Sequence, residues 1–359
     1  MPQPKKTLLA LALLLVVAIA CRRDPAWPPG DHWSGPTPYT MQLPAWVHDS
    51  LYPPHLPGNN PMTVEGVELG RRLFHEKALS DNHTMSCASC HLQANAFSDP
   101  LTFSVGTDGS VGTRNAMAVI NLAWDEHFFW DGRAHSLEHQ AFLPVTDPAE
   151  MRNTWPEVEA RLRVHPEYPE LFRKAFGTAD IDSVRIVQAI AQFERTLVSF
   201  NSRFDRFYYG GDSLVMTEAE QRGMEVFFRT GHCIDCHKPP LFADHGLRNN
   251  GLDLVHTDPG MGGVTGISWQ IGAFKTPTLR NIAYTAPYMH DGRFATLEEV
   301  VHFYAEDVQL ASPNLDNHMF PWVEGLVNLS MQDRADLVAF LHTLTDMSFL
   351  LDPAHSDPH

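Results

Sequence analysis

This 359-residue chain is short of cysteine, short of basic charge and short of long apolar runs. Each shortage excludes something. Of its five cysteines, four stand in two Cys-x-x-Cys pairs, so only Cys21 is left over and no structural disulfide is required. Lys and Arg number 26 against 43 Asp and Glu, a formal net charge of −17. A nucleic-acid binder needs a basic footprint, and this chain has none. The acidity suits a basic electron-donor protein steered by complementary charge, although a solvated acidic surface is the commoner meaning. The apolar run from Thr7 to Ala20 has 14 residues, too few for a comfortable membrane span. Strand signals are few, which points to a mainly helical fold.

What is present begins with that same short run. Lys5 and Lys6 precede it and Cys21 follows it, the layout of a signal peptide over residues 1–20. Ala18-Ile19-Ala20-Cys21 resembles a bacterial lipoprotein cleavage site, so Cys21 is a candidate for acylation and membrane anchoring. The alternative is a secreted protein whose Cys21 is incidental. Either way the mature chain lies outside the cytoplasm, in the periplasm. Loss of Lys5 and Lys6 takes the net charge to −19.

The two cysteine pairs carry the strongest signal. Cys87-Ala88-Ser89-Cys90-His91 recurs as Cys233-Ile234-Asp235-Cys236-His237. Cys-x-x-Cys-His is the attachment signature of c-type haem: two thiols bond to the porphyrin vinyl groups and the adjoining His reaches the iron. Half a zinc ribbon or a redox dithiol is the competing explanation. Neither requires His directly after both pairs. Two covalently bound c-type haems are therefore expected.

Along the chain, residues 21–60 hold nine prolines and read as a tether. The fold is expected to start near Pro61, with an amphipathic helix over Thr63–Phe74. Helical spacing continues through Glu157–Phe176, interrupted at Pro166 and Pro169. Asp182–Tyr208 is the longest helical pattern. Gly210-Gly211 ends it and marks a boundary between a domain over 61–210 and one over 211–359. Thr217–Arg229 opens with the capping box Thr217–Glu220, and Ser330–Thr345 is the closing helix. The expected fold is mainly α: two tandem c-type cytochrome-like haem domains with long loops.

The halves match beyond the haem motifs, which reads as an internal repeat. Gly70–Phe74 parallels Gly223–Phe227. Arg114-Asn115 parallels Arg280-Asn281, and Asp131-Gly132-Arg133 parallels Asp291-Gly292-Arg293. From there the spacing is identical, with Ser136 over Thr296 as helix starts and Thr296–Glu299 as a capping box. In this register Tyr304 falls opposite Pro144. If that helix lies over the distal face of its haem, one iron has an oxygen ligand on offer and the other faces a residue that cannot ligate. A closed haem relays electrons, and an open one binds a small oxidant. Met289 and Met319 are rival ligands to Tyr304, and a core tyrosine is the bland explanation.

An open haem acting on peroxide needs a group that takes and returns a proton and a polar neighbour that stabilises developing charge. The first half offers Glu150 and Gln140, with His139 and Asp147 as more solvated alternatives. Phe129 and Trp130 precede the turn between the haems, where Trp130 is a candidate aromatic bridge or a core residue.

These residues resemble the bacterial dihaem cytochrome c peroxidases and the related MauG enzymes. The likeness runs from Pro61 to Leu344. It includes Phe129–Ala134, Pro148–Met151, Phe274–Asn281 and Pro287–Gly292 as well as the haem motifs. It implies a peroxidatic N-terminal haem and an electron-accepting C-terminal haem, with the family's distal residues on Gln140 and Glu150 and its inter-haem tryptophan on Trp130. It also implies a calcium ion held by the Asn115 side chain and the carbonyls of Thr285 and Pro287, with water completing the shell, and homodimers in many peroxidases. Thr107 stands where many of the peroxidases carry a histidine cap, and Tyr304 where they carry a methionine ligand. At Tyr304 the chain resembles MauG.

Three functions are then in view. One is reduction of hydrogen peroxide to water with electrons from a small periplasmic cytochrome c or copper protein. The second is oxidation of Tyr or Trp in a modified partner protein by peroxide-derived equivalents. The third is a non-catalytic electron-transfer or sensing lipoprotein, which the pairing of Gln140 with Glu150 argues against.

Overall fold

The computed structural model describes residues 34–359. The signal peptide and the acylation expected at Cys21 lie outside the described residues. The fold is mainly helical. Thirteen α-helices are described: α1 (Ala45–Ser50), α2 (Val64–His75), α3 (Leu137–Thr146), α4 (Trp155–Val164), α5 (Tyr168–Phe176), α6 (Ser183–Glu194), α7 (Arg203–Tyr208), α8 (Glu218–Glu225), α9 (Met261–Thr265), α10 (Leu297–His302), α11 (Phe320–Val323), α12 (Met331–His342) and α13 (Met347–Leu350). Strands β1 (Leu247–Arg248) and β2 (Phe274–Lys275) form the only ladder among the described residues, an antiparallel ribbon.

Helix starts follow local chemistry. Thr63, Ser136 and Asp182 each accept a hydrogen bond from the first turn of α2, α3 and α6, which satisfies an N–H that has no helical partner. Thr217–Glu220 and Thr296–Glu299 form reciprocal capping boxes at α8 and α10, and so do Ser330 and Asp333 at α12.

Each half is built on one close helix crossing beside its Cys-x-x-Cys-His turn. In the first, α2 crosses α6 at Gly70, where a Cβ would lie 1.8 Å from the Ala189 carbonyl oxygen. In the second, α8 crosses α12 at Gly223, where a Cβ would lie 1.8 Å from the Asp336 carbonyl oxygen. Only glycine allows backbones this near. Phe193 and Phe340 pack beside these crossings. Leu69, Phe74, Phe97, Phe193 and Leu197 belong to the first core, and Phe204, Phe227, Phe242, Phe340 and Leu344 to the second.

Three details differ from expectation. Residues 34–60 pack on the body rather than hanging free. Pro38 bridges Thr63, and Val47 in α1 is 2% exposed in a cluster with Trp124, Phe200 and Leu241. Prolines punctuate this segment, but its apolar residues find a groove to cover. The Asp182–Tyr208 pattern is not one helix. After Arg195 the chain opens, so that Leu197 accepts from the Asn121 N–H and the Ser199 N–H donates to Asn121 Oδ1. It resumes at Ser202, which caps α7. Lastly, the geometric counterpart of Asn281 is Asn121, not Asn115. Both adopt positive φ, 57° and 58°, and both start a short 3-10 turn. Asn281 donates to Leu344 and accepts from Asp346 as Asn121 does with Leu197 and Ser199. A polar side chain that bonds its local backbone tolerates this conformation.

Candidate functional site

In both motifs a short 3-10 turn carries the two thiols, over Cys87–Ser89 and Cys233–Asp235. The N–H of His91 donates to the Cys87 carbonyl and that of His237 to the Cys233 carbonyl, each at 2.9 Å. The imidazole Nδ1 of His91 lies 2.9 Å from the Phe97 carbonyl, and that of His237 3.1 Å from the Phe242 carbonyl. A carbonyl accepting from Nδ1–H leaves Nε2 as the free ligand nitrogen and fixes the ring direction. Burial holds both rings below the usual histidine range, which keeps them in the neutral, ligating form. Burial also pushes the unmodified thiols up, to about 11 for Cys90 and about 12 for Cys233 and Cys236. A redox dithiol needs a lowered thiol pKa, so this environment opposes that reading.

At the first motif, α3 carries Gln140 and, one turn on, Pro144. The chain leaves α3 at Asp147 and doubles back, so that the Met151 N–H donates to the Pro144 carbonyl at 3.2 Å and the Thr107 N–H to the Glu150 carbonyl at 3.0 Å. This return brings the Glu150 carboxyl near enough to Cys87 and Cys90 to raise both thiols. Desolvation, reinforced by Asp147 and opposed by Arg133, pushes Glu150 up to about 7. Arg133 lies over the Phe129 ring at 3.6 Å and bonds Asp131. The Thr107 hydroxyl is buried without a hydrogen-bond partner.

At the second motif, a single cavity gathers Cys233, Cys236, His237, Tyr304, Met289 and Met319. Tyr304 lies in the π-helical turn Phe303–Asp307 that continues α10. Trp322 Nε1 donates to its carbonyl at 2.6 Å. Desolvation pushes the Tyr304 hydroxyl above its usual range and Asn250 opposes this.

The same cavity is lined by Trp130, Asn115, Thr285 and Pro287. Trp130 Nε1 donates to the Asn115 carbonyl at 2.8 Å, and its own carbonyl accepts from the Lys275 N–H at 2.7 Å. Trp130 thus bonds both halves. Asn115 Nδ2 donates to the Leu101 carbonyl at 2.9 Å, which leaves Oδ1 free to accept or to ligate.

A scan of family models matches residues 64–213 to the "Di-haem cytochrome c peroxidase" family. The chain is 40% identical over 297 residues to the methylamine utilization protein MauG of Methylorubrum extorquens, covering 81% of each chain. It is 36% identical to the cytochrome c551 peroxidase of Nitrosomonas europaea, over 79% of this chain and 81% of that one. The crystal structure of a MauG-like protein associated with microbial copper homeostasis superposes with a TM-score of 0.81 at 36% identity, covering 89% of this chain and 99% of that one. The chain belongs to the di-haem cytochrome c peroxidase family. It is an oxidoreductase acting on peroxide and carries two c-type haems.

The residues fit two such haems. Both motifs pair two thiols with a buried, oriented imidazole. The cavity at the second motif also offers nitrogen atoms suited to an anion. Arg248 Nε and His245 Nε2 are buried without hydrogen-bond partners, and both residues line the cavity with Lys275. Thr276 N–H donates to the Gly246 carbonyl, so the β1–β2 ribbon brings these residues together. Lys275 and His245 both pair with Asp125. Haem propionates match this set.

Asn250, the Asp125–His245–Lys275 cluster and Glu194 are not legible as site residues in the sequence. Glu194 is 4% exposed with one unpaired carboxyl oxygen, and burial pushes it up to about 8. No spacing signal marks it, because it sits within an otherwise apolar helical stripe.

Proposed function

We propose that this chain reduces hydrogen peroxide to water at the N-terminal haem, with electrons relayed through the C-terminal haem from a small periplasmic donor protein. Each turnover takes two electrons and two protons and releases two waters. Cys87, Cys90 and His91 hold the first haem, and Cys233, Cys236 and His237 hold the second. When bound, the haems supply the electron exchange with peroxide and donor.

The chain's own residues handle the protons. The observation that carries this reading is Glu150: a carboxyl brought beside the first motif by a backbone return and desolvated until its pKa is about 7. A group poised near neutrality can take a proton from the attacking end of peroxide and return it to the leaving oxygen. Gln140, one turn before Pro144 on α3, stabilises the charge that develops. Pro144 has no side chain that could ligate and leaves that side open to substrate. Trp130, bonded to both halves, bridges them. Tyr304 is the proposed second ligand of the C-terminal haem. The free Oδ1 of Asn115 with the carbonyls of Thr285 and Pro287 is an all-oxygen donor set suited to calcium. The matched crossings at Gly70 and Gly223 support an internal repeat of two haem domains, and Cys21 remains the proposed lipid anchor.

The test is steady-state peroxide consumption by the dihaem protein with reduced cytochrome c or a copper protein as donor. Turnover no faster than free haem with both donors rejects the peroxidase reading. Resting electron paramagnetic resonance should give one high-spin and one low-spin ferric signal, and two low-spin signals reject the open first site.

A second reading, oxidation of Tyr or Trp in a partner protein, is favoured by Tyr304 at the second motif and by the similarity to MauG proteins. Peroxide-dependent crosslinking or hydroxylation of a co-expressed partner, without turnover of soluble donors, separates it from the first.

A further inference from the structure

Among the three side chains at the second motif that could ligate a haem iron, Tyr304, Met289 and Met319, two share a hydrogen-bond donor: the Tyr304 phenol and the Met289 thioether. Both line the cavity that contains Cys233, Cys236 and His237. One amide touches both. Asn250 Nδ2 donates to Tyr304 Oη at 2.9 Å and lies 4.0 Å from Met289 Sδ, within reach of a weak hydrogen bond to sulfur. Its orientation is not arbitrary. Asn250 Oδ1 accepts from the Leu252 N–H at 3.2 Å, which assigns the oxygen and leaves the NH₂ group for the two rivals. Asn250 lies two residues past strand β1, and the chain there is held by its neighbour Asn249, whose Nδ2 donates to the Pro313 carbonyl at 2.7 Å and whose Oδ1 accepts from the Gly251 N–H at 2.9 Å.

The two bonds act differently. An N–H donating to a phenol oxygen orients that oxygen and favours its electron-rich form. An N–H donating to a thioether occupies a lone pair that metal coordination also needs, and sulfur is a weak acceptor. We propose that Asn250 is the positioning residue that selects Tyr304 over Met289 as the ligand of the second haem. It holds the phenol oxygen in place and the sulfur aside. This rests on the reading that Tyr304 ligates that haem.

The test uses the dihaem protein and reads ligation rather than activity. In the unaltered ferric protein no methionine-to-iron charge-transfer band is expected. A band there overturns the Tyr304 reading itself. In Asn250→Leu, similar in shape but without the donor, the band should appear. The reduction equilibrium of the second haem should shift at least about tenfold toward the ferrous form, a rise of about 59 mV for one electron. Met289→Leu in the Asn250→Leu background should remove the band. If Asn250→Leu does not retain both haems, Asn250→Asp keeps the shape, replaces the donor with an acceptor and is read the same way. A tyrosine-ligated parent whose Asn250 variants keep both spectrum and potential overturns the role of Asn250 and leaves the Tyr304 reading intact.

Discussion

Two helix crossings, α2 on α6 at Gly70 and α8 on α12 at Gly223, each stand beside a Cys-x-x-Cys-His turn, and their surroundings differ at a few positions that matter for chemistry. Ser136 and Thr296 start equivalent helices, but α3 carries Pro144 where the continuation of α10 carries Tyr304. Proline has no N–H to donate and no group to ligate. The tyrosine stands in a π-helical turn, a form that recurs at functional sites. A second difference lies on the opposite helix. The crossings pair Ala189 with Asp336 and Phe193 with Phe340, so Glu194 takes the place of Leu341. The first half buries an acid where the second buries an apolar side chain. One kind of helix crossing thus stands beside an acid and a proline in the first half and beside an apolar residue and a phenol in the second.

The largest test of this contrast is Glu150→Gln. It should lower kcat/KM for peroxide about 10²–10⁴-fold, while the second haem keeps its spectrum. An unchanged rate would remove the proton-handling role.

The pH profile sharpens it. Glu150 serves as a base only when ionised, and its pKa is raised to about 7. The peroxide kcat/KM should therefore climb roughly tenfold per unit below pH 7 and level off above it. In Glu150→Gln that limb should be absent.

The paired glycines ask whether the halves are built alike. Gly70→Ala and Gly223→Ala each push a methyl onto a backbone oxygen, and each should cost about 3 kcal/mol. Thermal unfolding should report losses of similar size. Haem release should be greater from the half that carries the substitution.

Glu194→Gln probes the buried acid. Because Glu194 has its pKa raised to about 8, the folded state keeps a proton that the unfolded chain sheds near the ordinary value. Stability therefore falls as pH rises between those two values and stays low above the higher one. The Gln variant should match the parent near pH 4 and exceed it near pH 9 by on the order of 1–3 kcal/mol, measured by denaturant unfolding. No difference at pH 9 would mean that Glu194 ionises without penalty.

Much of the helical framework is legible because its signals are local. The capping boxes at Thr217 and Thr296 and the start at Ser136 depend on side chains within one turn of the backbone they bond. The composition of residues 21–60 reads as a tether, yet the described part, 34–60, packs on the body, because proline content says nothing about whether Val47 finds Trp124 and Phe200. The break after Glu194 was hidden because the apolar spacing continues across it, and a long-range partner, Asn121, decides it. Asn250 was invisible for the same reason. In sequence it belongs to an Asn-Asn-Gly turn, and its partners are 39 and 54 residues away.

By itself the sequence determined the two Cys-x-x-Cys-His motifs, since each needs only five consecutive residues, and the wider pattern that includes Phe129–Ala134 and Pro287–Gly292 pointed to the family. Only the tertiary structure decided the desolvation of Glu150 and the meeting of Asn250 with Tyr304 and Met289. The physical reason is range. Covalent attachment is a property of neighbours along the chain, whereas desolvation and hydrogen-bond partnership depend on which distant segments pack together in space.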